Sequence, residues 1–140
     1  MRSVLPSPLL RGAFVLDAVV SAAAGVLQLA PGARMVAWLG LPAPLLTETG
    51  VFLLAYAGAL LLLARSRTLW APLVQAVVLG NAGWALGCVL ALLLGWLAPT
   101  ALGTAWLLLQ AVAVLAFAAA EGLGLARSAP APAAVGLARS

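Results

Sequence analysis

The chain has 140 residues, of which 66% are hydrophobic and only 7% are charged, and it carries a formal net charge of +4. Soluble domains are about 45–50% apolar and about 25% charged, so this composition excludes a water-soluble fold and predicts that lipid surrounds most of the chain. The basic residues are all arginines, scattered singly between apolar runs. A nucleic-acid surface would cluster them on one face, so we do not expect nucleic acid as a partner.

The first predicted membrane-spanning helix contains a carboxylate, Asp17. Small or polar residues recur at every fourth position along it: Ala13, Asp17, Ser21 and Gly25. Residues at i and i+4 share a helix face, so Asp17 belongs to a groove that another helix can approach closely. A charge within the hydrocarbon costs about 2.5–3.5 kcal/mol, so the carboxylate needs a partner or a proton. A cleaved signal peptide is the competing interpretation, but Arg11 and Asp17 interrupt the apolar core of such a peptide, and we expect the span to be retained.

Three further apolar segments follow a break at Pro31, Gly32 and Pro42. Each is long enough for a bilayer core, since a helix rises 1.5 Å per residue and about 20 residues suffice. The predicted spans are about 9–30, 44–65, 70–97 and 101–125. Together they define a four-helix transmembrane domain over residues 1–126. The Pro/Ala-rich residues 127–140 have no periodicity and are predicted to be a flexible cytoplasmic tail.

Arginine placement predicts the orientation of these spans. With the N-terminus in the cytoplasm, only Arg34 lies outside. The cytoplasmic arginines are then Arg2, Arg11, Arg65, Arg67, Arg127 and Arg139. The sequence therefore predicts an all-α membrane protein, a four-transmembrane-helix bundle with both ends inside. We expect a multi-pass protein of the bacterial inner (plasma) membrane, with the lipid bilayer as its surroundings.

Polar residues occur within the predicted spans at matching depths. Counting 1.5 Å per residue places Asp17 about 8 Å from the cytoplasmic end, with Gln75 and Glu121 at a similar depth. The same counting puts one residue of each helix near the midplane: Ser21, Tyr56, Asn81 and Gln110. Lipid cannot satisfy these groups, so they are predicted to turn inward. Either they hydrogen-bond one another and fix helix register, or they form a proton or substrate path through Asp17 and Glu121. For Glu121, neutralisation by Arg127 or Arg11 is a further alternative.

A second ladder of small residues lies in the third span: Gly83, Gly87, Ala91 and Gly95. Such spacing is typical of a helix-packing face, and we expect association with a second copy or with other membrane subunits there. Trp84 and Cys88, both mid-span, are predicted to be buried structural side chains.

Nothing in the sequence indicates an enzyme. There is no His, no phosphate-binding loop and no spacing of metal ligands, so we expect neither a metal nor a cofactor.

Three segments carry a resemblance to the small bacterial four-helix membrane proteins grouped as DoxX-like. These are Leu9-Leu10-Arg11-Gly12 before a Gly/Ala-rich span, the turn Leu39-Gly40-Leu41-Pro42, and Gly50-Val51-Phe52-Leu53-Leu54 in the next span. The resemblance covers roughly residues 9–65 and implies four spans, but no single activity. In length, span number and the presence of an acid in the first span, the chain also resembles small multidrug-resistance exporters, although their first-span motif is not reproduced.

Two hypotheses on function follow. The first is a non-enzymatic accessory or assembly subunit of a membrane complex. The alternative is a small proton-coupled transporter or exporter that uses Asp17.

Overall fold

The computed structural model describes residues 3–29 and 33–132. Within these ranges the chain forms five helices: α1 (Pro8–Leu29), α2 (Ala33–Leu39), α3 (Ala43–Arg65), α4 (Ala71–Leu93) and α5 (Ala101–Ala126). It also forms three short strands: β1 (Ser3–Leu5), β2 (Leu69–Trp70) and β3 (Ala129–Pro130). Four of the helices, α1, α3, α4 and α5, are each long and apolar enough to cross a membrane, as a small membrane protein requires.

The boundaries of these helices differ from the predicted spans chiefly at the end of α4. The third span was predicted to reach residue 97, but the helix ends at Leu93. Gly95 has a φ of 68°, a left-handed conformation that glycine adopts without strain, and it turns the chain towards α5. The other boundaries agree within one residue.

The bundle is built around α1, which packs between α3 and α5, while α4 packs mainly on α5. Helix α1 approaches α3 where Gly25 faces Gly50: a Cβ atom on Gly25 would lie 2.9 Å from the Gly50 carbonyl oxygen. It approaches α5 where Gly124 meets the backbone of Leu10. Helices α3 and α4 have few close backbone contacts, and Phe52 of α3 stacks on Trp84 of α4 with 6.2 Å between ring centroids. The bundle is therefore tightly packed on one side and loosely packed between α3 and α4.

The two ends of the domain are joined at one end of the bundle by a small antiparallel sheet in the order β2-β1-β3. Val4 of β1 pairs with Leu69 of β2 on one side and with Pro130 of β3 on the other. The structure differs from the prediction at the beginning of the tail, where Ala129–Pro130 pairs with the edge of β1. Residues 133–140 of that predicted tail lie outside the described residues.

The short helix α2 covers the opposite end of the bundle. Its Leu39 carbonyl oxygen accepts a hydrogen bond from the Thr100 amide at 3.0 Å, and Thr100 Oγ1 caps the first turn of α5 by accepting from the Gly103 amide. Gly40 follows with a φ of 64° and packs against the Thr100 backbone. The loop from α4 to α5 is thereby fixed to the loop before α3.

Candidate functional site

Five polar side chains from all four long helices meet in the interior of the bundle. They are Asp17 and Ser21 of α1, Tyr56 of α3, Asn81 of α4 and Glu121 of α5. We call them the carboxyl cluster. Asp17 and Glu121 are both completely buried, with 0% of their surface exposed, and Asn81 and Ser21 are nearly so.

The Asp17 carboxyl group is the centre of the cluster. Ser21 Oγ, one helical turn away, donates to Asp17 Oδ1 at 2.9 Å. Asn81 Nδ2 donates to Asp17 Oδ2 at 3.0 Å. The Tyr56 hydroxyl lies 3.4 Å from the same Oδ2 and donates to Asn81 Oδ1 at 3.0 Å. Three helices are therefore tied together through one carboxyl group.

Glu121 joins the cluster through Asn81, whose Nδ2 also lies 3.2 Å from Glu121 Oε2 as a donor. The second carboxyl oxygen, Oε1, is buried and has no hydrogen-bond partner within the described part of the chain. A buried polar oxygen without a donor is costly in an apolar interior. This cost disappears if the oxygen carries a proton of its own and donates it to a neighbouring acceptor.

Within the described residues, both carboxyl groups have neutral hydrogen-bond partners: Ser21, Tyr56 and Asn81. Arg11 is one of the two cations predicted as alternatives for neutralising Glu121, but its guanidinium donates to the Ala64 carbonyl oxygen at the end of α3, at 2.6 Å. Arg127, the other candidate, is exposed at the end of α5. Neutralisation of Glu121 by these two arginines is therefore not observed.

Two cavities lie between the carboxyl cluster and the α2 end of the bundle. The smaller cavity, about 120 Å³, is lined by residues of all four long helices, and Ser21, Tyr56 and Asn81 of the cluster form part of its wall. The larger cavity, about 360 Å³, lies mainly between α3, α4 and α5, with Leu46, Trp106 and Leu107 in its wall. Trp84 and Gln110 line both cavities, so the two spaces adjoin.

The structure thus brings together five of the seven predicted polar residues and separates the other two. Gln110 makes no contact in the cluster's hydrogen-bond network but is half-buried and lines both cavities. Gln75 is exposed on α4 and does not turn inward as predicted. The reason is rotation about the helix axis: Gln75 and Asn81 are six residues apart, which makes their side chains point about 120° apart around α4.

The glycines of the second ladder of small residues have no close helix contact among the described residues. A Cβ atom added to Gly83, Gly87 or Gly95 would meet nothing within 4 Å among the described residues. Gly83, Gly87 and Ala91 instead form one wall of the larger cavity. Packing against a second protein at this ladder stays a prediction.

Sequence reasoning missed several residues of the site. Trp84 was expected to be a structural side chain, yet its indole Nε1 is buried without an acceptor within the described residues. Phe52, which stacks on both Tyr56 and Trp84, was not singled out. Gln28 and Thr49, joined by a hydrogen bond of 2.5 Å at the larger cavity, were not paired either. The only available signal was that each is polar or aromatic within an apolar span.

Cys88 is buried, as expected for a structural thiol, and borders the larger cavity. Among the described residues, no group of three or more His, Cys, Asp or Glu side chains is placed to hold a metal ion. Comparison of the chain with protein-family models, with curated proteins and with solved structures finds no match.

Proposed function

We propose that this chain is a multi-pass protein of the bacterial inner membrane that couples the movement of a proton to the binding of a small lipophilic cation. The observation that carries the proposal is the burial of two carboxyl groups, Asp17 and Glu121, whose hydrogen-bond partners within the described part of the chain are all neutral. Burying a charged carboxylate in the membrane costs free energy, so acids inside membrane spans are uncommon. Those that occur are candidates for proton or substrate paths.

Charge balance supports a shared proton. Two carboxylates bridged by one amide nitrogen, with no cation beside them among residues 3–29 and 33–132, would repel each other in a low-dielectric interior, so at least one proton stays with the pair. A cation that reaches the cluster replaces that proton electrostatically. Binding of the cation and release of the proton are then linked, as coupling requires.

The smaller cavity supplies the space for such a cation. Ser21, Tyr56 and Asn81 line it and also hydrogen-bond within the cluster, so a molecule in this cavity is one side chain away from the two acids. The Tyr56 ring and the Phe52 ring stacked on it also line the cavity. Aromatic faces attract cations, which suits a positively charged group with an apolar body.

The test is proton release from purified protein in weakly buffered detergent on addition of tetramethylammonium, a cation small enough for the smaller cavity. Its neutral isostere neopentane, which has carbon in place of the ammonium nitrogen, is the control compound. We expect up to one proton per bound cation from the wild type, and none with the isostere. Asp17→Asn should abolish the release, whereas Glu48→Gln, at the exposed acid of α3, should leave it unchanged.

Two results would remove the proposal. One is the absence of release from the wild type at concentrations where the cation binds. The other is release that persists in both Asp17→Asn and Glu121→Gln.

The orientation that we propose is N-in and C-in. Arg11, Arg65 and Arg127 all lie at the sheet end of the bundle, whereas Arg34 of α2 lies at the other end, which supports a cytoplasmic sheet end by the positive-inside rule. In a Cys88→Ala background, Ser66→Cys should be labelled by an impermeant reagent from the cytoplasm and Ala98→Cys from outside. Labelling of both from one side would contradict four spans.

A second candidate function, an accessory subunit of a membrane complex, is favoured by one observation. Helix α4 is the least covered of the four spans, and its Gly83 and Gly87 have no neighbour within 4 Å of a Cβ atom among the described residues. A partner helix, from a second copy or another subunit, fits such a surface. A complex that survives mild detergent and dissociates in Gly87→Leu would support this candidate, and a monomer in both proteins would count against it.

A further inference from the structure

Among the described residues, the lining of the larger cavity includes no charged side chain, and Asp17, Glu48 and Glu121 do not border it. Its polar groups belong to neutral side chains: Gln28, Thr49, Gln110, Trp84, Trp106 and Cys88. Its volume of about 360 Å³ lies in the range of pockets that hold small molecules, which are about 300–1,000 Å³. A mostly apolar wall with a few neutral polar groups is the usual lining of such pockets.

One of these polar groups lacks a partner. The Trp84 indole nitrogen is a donor only, it is buried, and no acceptor contacts it within the described part of the chain. The half-buried Gln110 amide lines the same cavity from α5 and offers further donors. Both donor groups lie where the larger cavity adjoins the smaller one. They can hydrogen-bond to a ligand that has an acceptor oxygen.

The glycines of α4 explain how the space arises. Gly83 and Gly87 lie on the cavity wall with nothing within 4 Å of where a Cβ atom would be, so larger residues there would occupy the cavity itself. A ladder of small residues in a membrane helix usually admits another helix backbone, but here it borders a partly open cavity whose wall also includes Trp106 and Leu107 of α5.

We propose that the larger cavity binds a neutral, lipid-soluble aromatic molecule that carries a carbonyl-type acceptor, with Trp84 Nε1 as its hydrogen-bond donor. The apolar body of the ligand packs against the glycine wall of α4, and its acceptor oxygen lies at the junction with the smaller cavity. The site is separate from the carboxyl cluster and does not depend on the proposed proton coupling, because no acid takes part.

Benzophenone is a suitable probe, because it is a neutral diaryl ketone whose photoexcited carbonyl inserts into nearby C–H bonds. The experiment irradiates full-length protein in detergent with increasing benzophenone and maps the labelled residues by mass spectrometry. We expect saturable labelling at cavity residues such as Leu107 and Cys88. Diphenylmethane has the same two rings without the acceptor oxygen. It should bind the cavity more weakly than benzophenone and therefore compete poorly with benzophenone labelling.

The variants separate the elements of this proposal. Gly87→Leu fills the cavity and should lower benzophenone affinity at least about tenfold, a change of about 1.4 kcal/mol. Gly58→Leu on α3, whose Cβ position is equally open but which does not line either cavity, is the matched control and should bind normally. Trp84→Phe keeps a stacking ring but removes the donor. It should weaken the ketone by about two- to tenfold, as for one hydrogen bond, and leave diphenylmethane unchanged.

If Gly87→Leu does not fold, Gly83→Leu on the same wall provides the same test. Equal labelling of the wild type and the cavity-filling variant would overturn the proposal. It would also be overturned if native mass spectrometry finds a retained phospholipid that Gly87→Leu releases, since the cavity then belongs to an acyl chain. A wild-type dimer that Gly87→Leu dissociates would overturn it as well, because the glycine wall would then be a contact between copies.

Loss of benzophenone labelling in Gly87→Leu with intact proton release would separate this site from the carboxyl cluster.

Discussion

Gly25 of α1 and Gly50 of α3 meet backbone to backbone, so closely that a Cβ atom on Gly25 would lie 2.9 Å from the Gly50 carbonyl oxygen. This contact lies one helical turn from Ser21 and holds α1 against α3, where Asp17 reaches Tyr56. The close approach of these two helices is what allows short polar side chains to form the cluster.

The first prediction concerns that contact. Gly25→Ala should destabilise the bundle by about 1–3 kcal/mol, because the added methyl group meets backbone and the Leu54 side chain and cannot be accommodated without a shift. Gly58→Ala is the matched control, since its Cβ position is open. It should be neutral or stabilising by up to about 1 kcal/mol, because alanine favours the helix. Thermal unfolding in detergent measures both, and equal stability of the two variants would contradict the close contact.

A second prediction concerns Asn81, which donates to both acids. Asn81→Leu removes the shared donor and leaves two buried carboxyl groups with fewer partners, so the free energy of unfolding should fall by about 1–3 kcal/mol. Gln75→Leu makes the same amide-to-leucine change on the same helix at an exposed position and should change stability little. The comparison fails if both variants unfold at the same temperature.

A third prediction concerns Ser7, which joins the two ends of the domain. Its hydroxyl donates to the Gly124 carbonyl oxygen at 2.7 Å, and its Oγ accepts from the Leu10 amide at 3.2 Å as a cap of α1. Ser7→Ala should cost about 1 kcal/mol and speed hydrogen exchange in β1 and β3. Ser66→Ala, which loses only a bond to the Leu62 carbonyl oxygen within its own helix end, should leave exchange in the sheet unchanged.

Much of the fold and of the site was predictable from two quantities: the length of each apolar segment and the number of residues from the membrane interface. Both convert to distances through the fixed rise of a helix per residue. The four helices agree closely with the predicted spans, and Asp17 with Ser21 follows from their i, i+4 spacing. Depth counting placed Glu121 at the depth of Asp17 but put Tyr56 and Asn81 in a separate layer near the midplane, whereas the structure joins both layers in one network.

Depth alone does not give the direction in which a residue faces, and there the predictions differ from the structure. Gln75 has a suitable depth on the wrong side of α4. The spacing of Gly83 and Gly87 indicates a smooth surface but not what lies on it. The strands are too short to show a period of two, and the pairing of β1 with Ala129–Pro130 joins residues that are far apart in sequence.

The central claim is that the Asp17–Glu121 pair holds a proton within the membrane, and infrared spectroscopy tests it directly. The chain has only three acidic side chains, Asp17, Glu48 and Glu121, so the carbonyl stretch of a protonated carboxyl group can be assigned by substitution. At neutral pH we expect this carbonyl band in the wild type and in Glu48→Gln. The band should be absent from the Asp17→Asn, Glu121→Gln double variant. A wild-type spectrum with carboxylate bands alone, or a band that survives the double variant and disappears in Glu48→Gln, would contradict it.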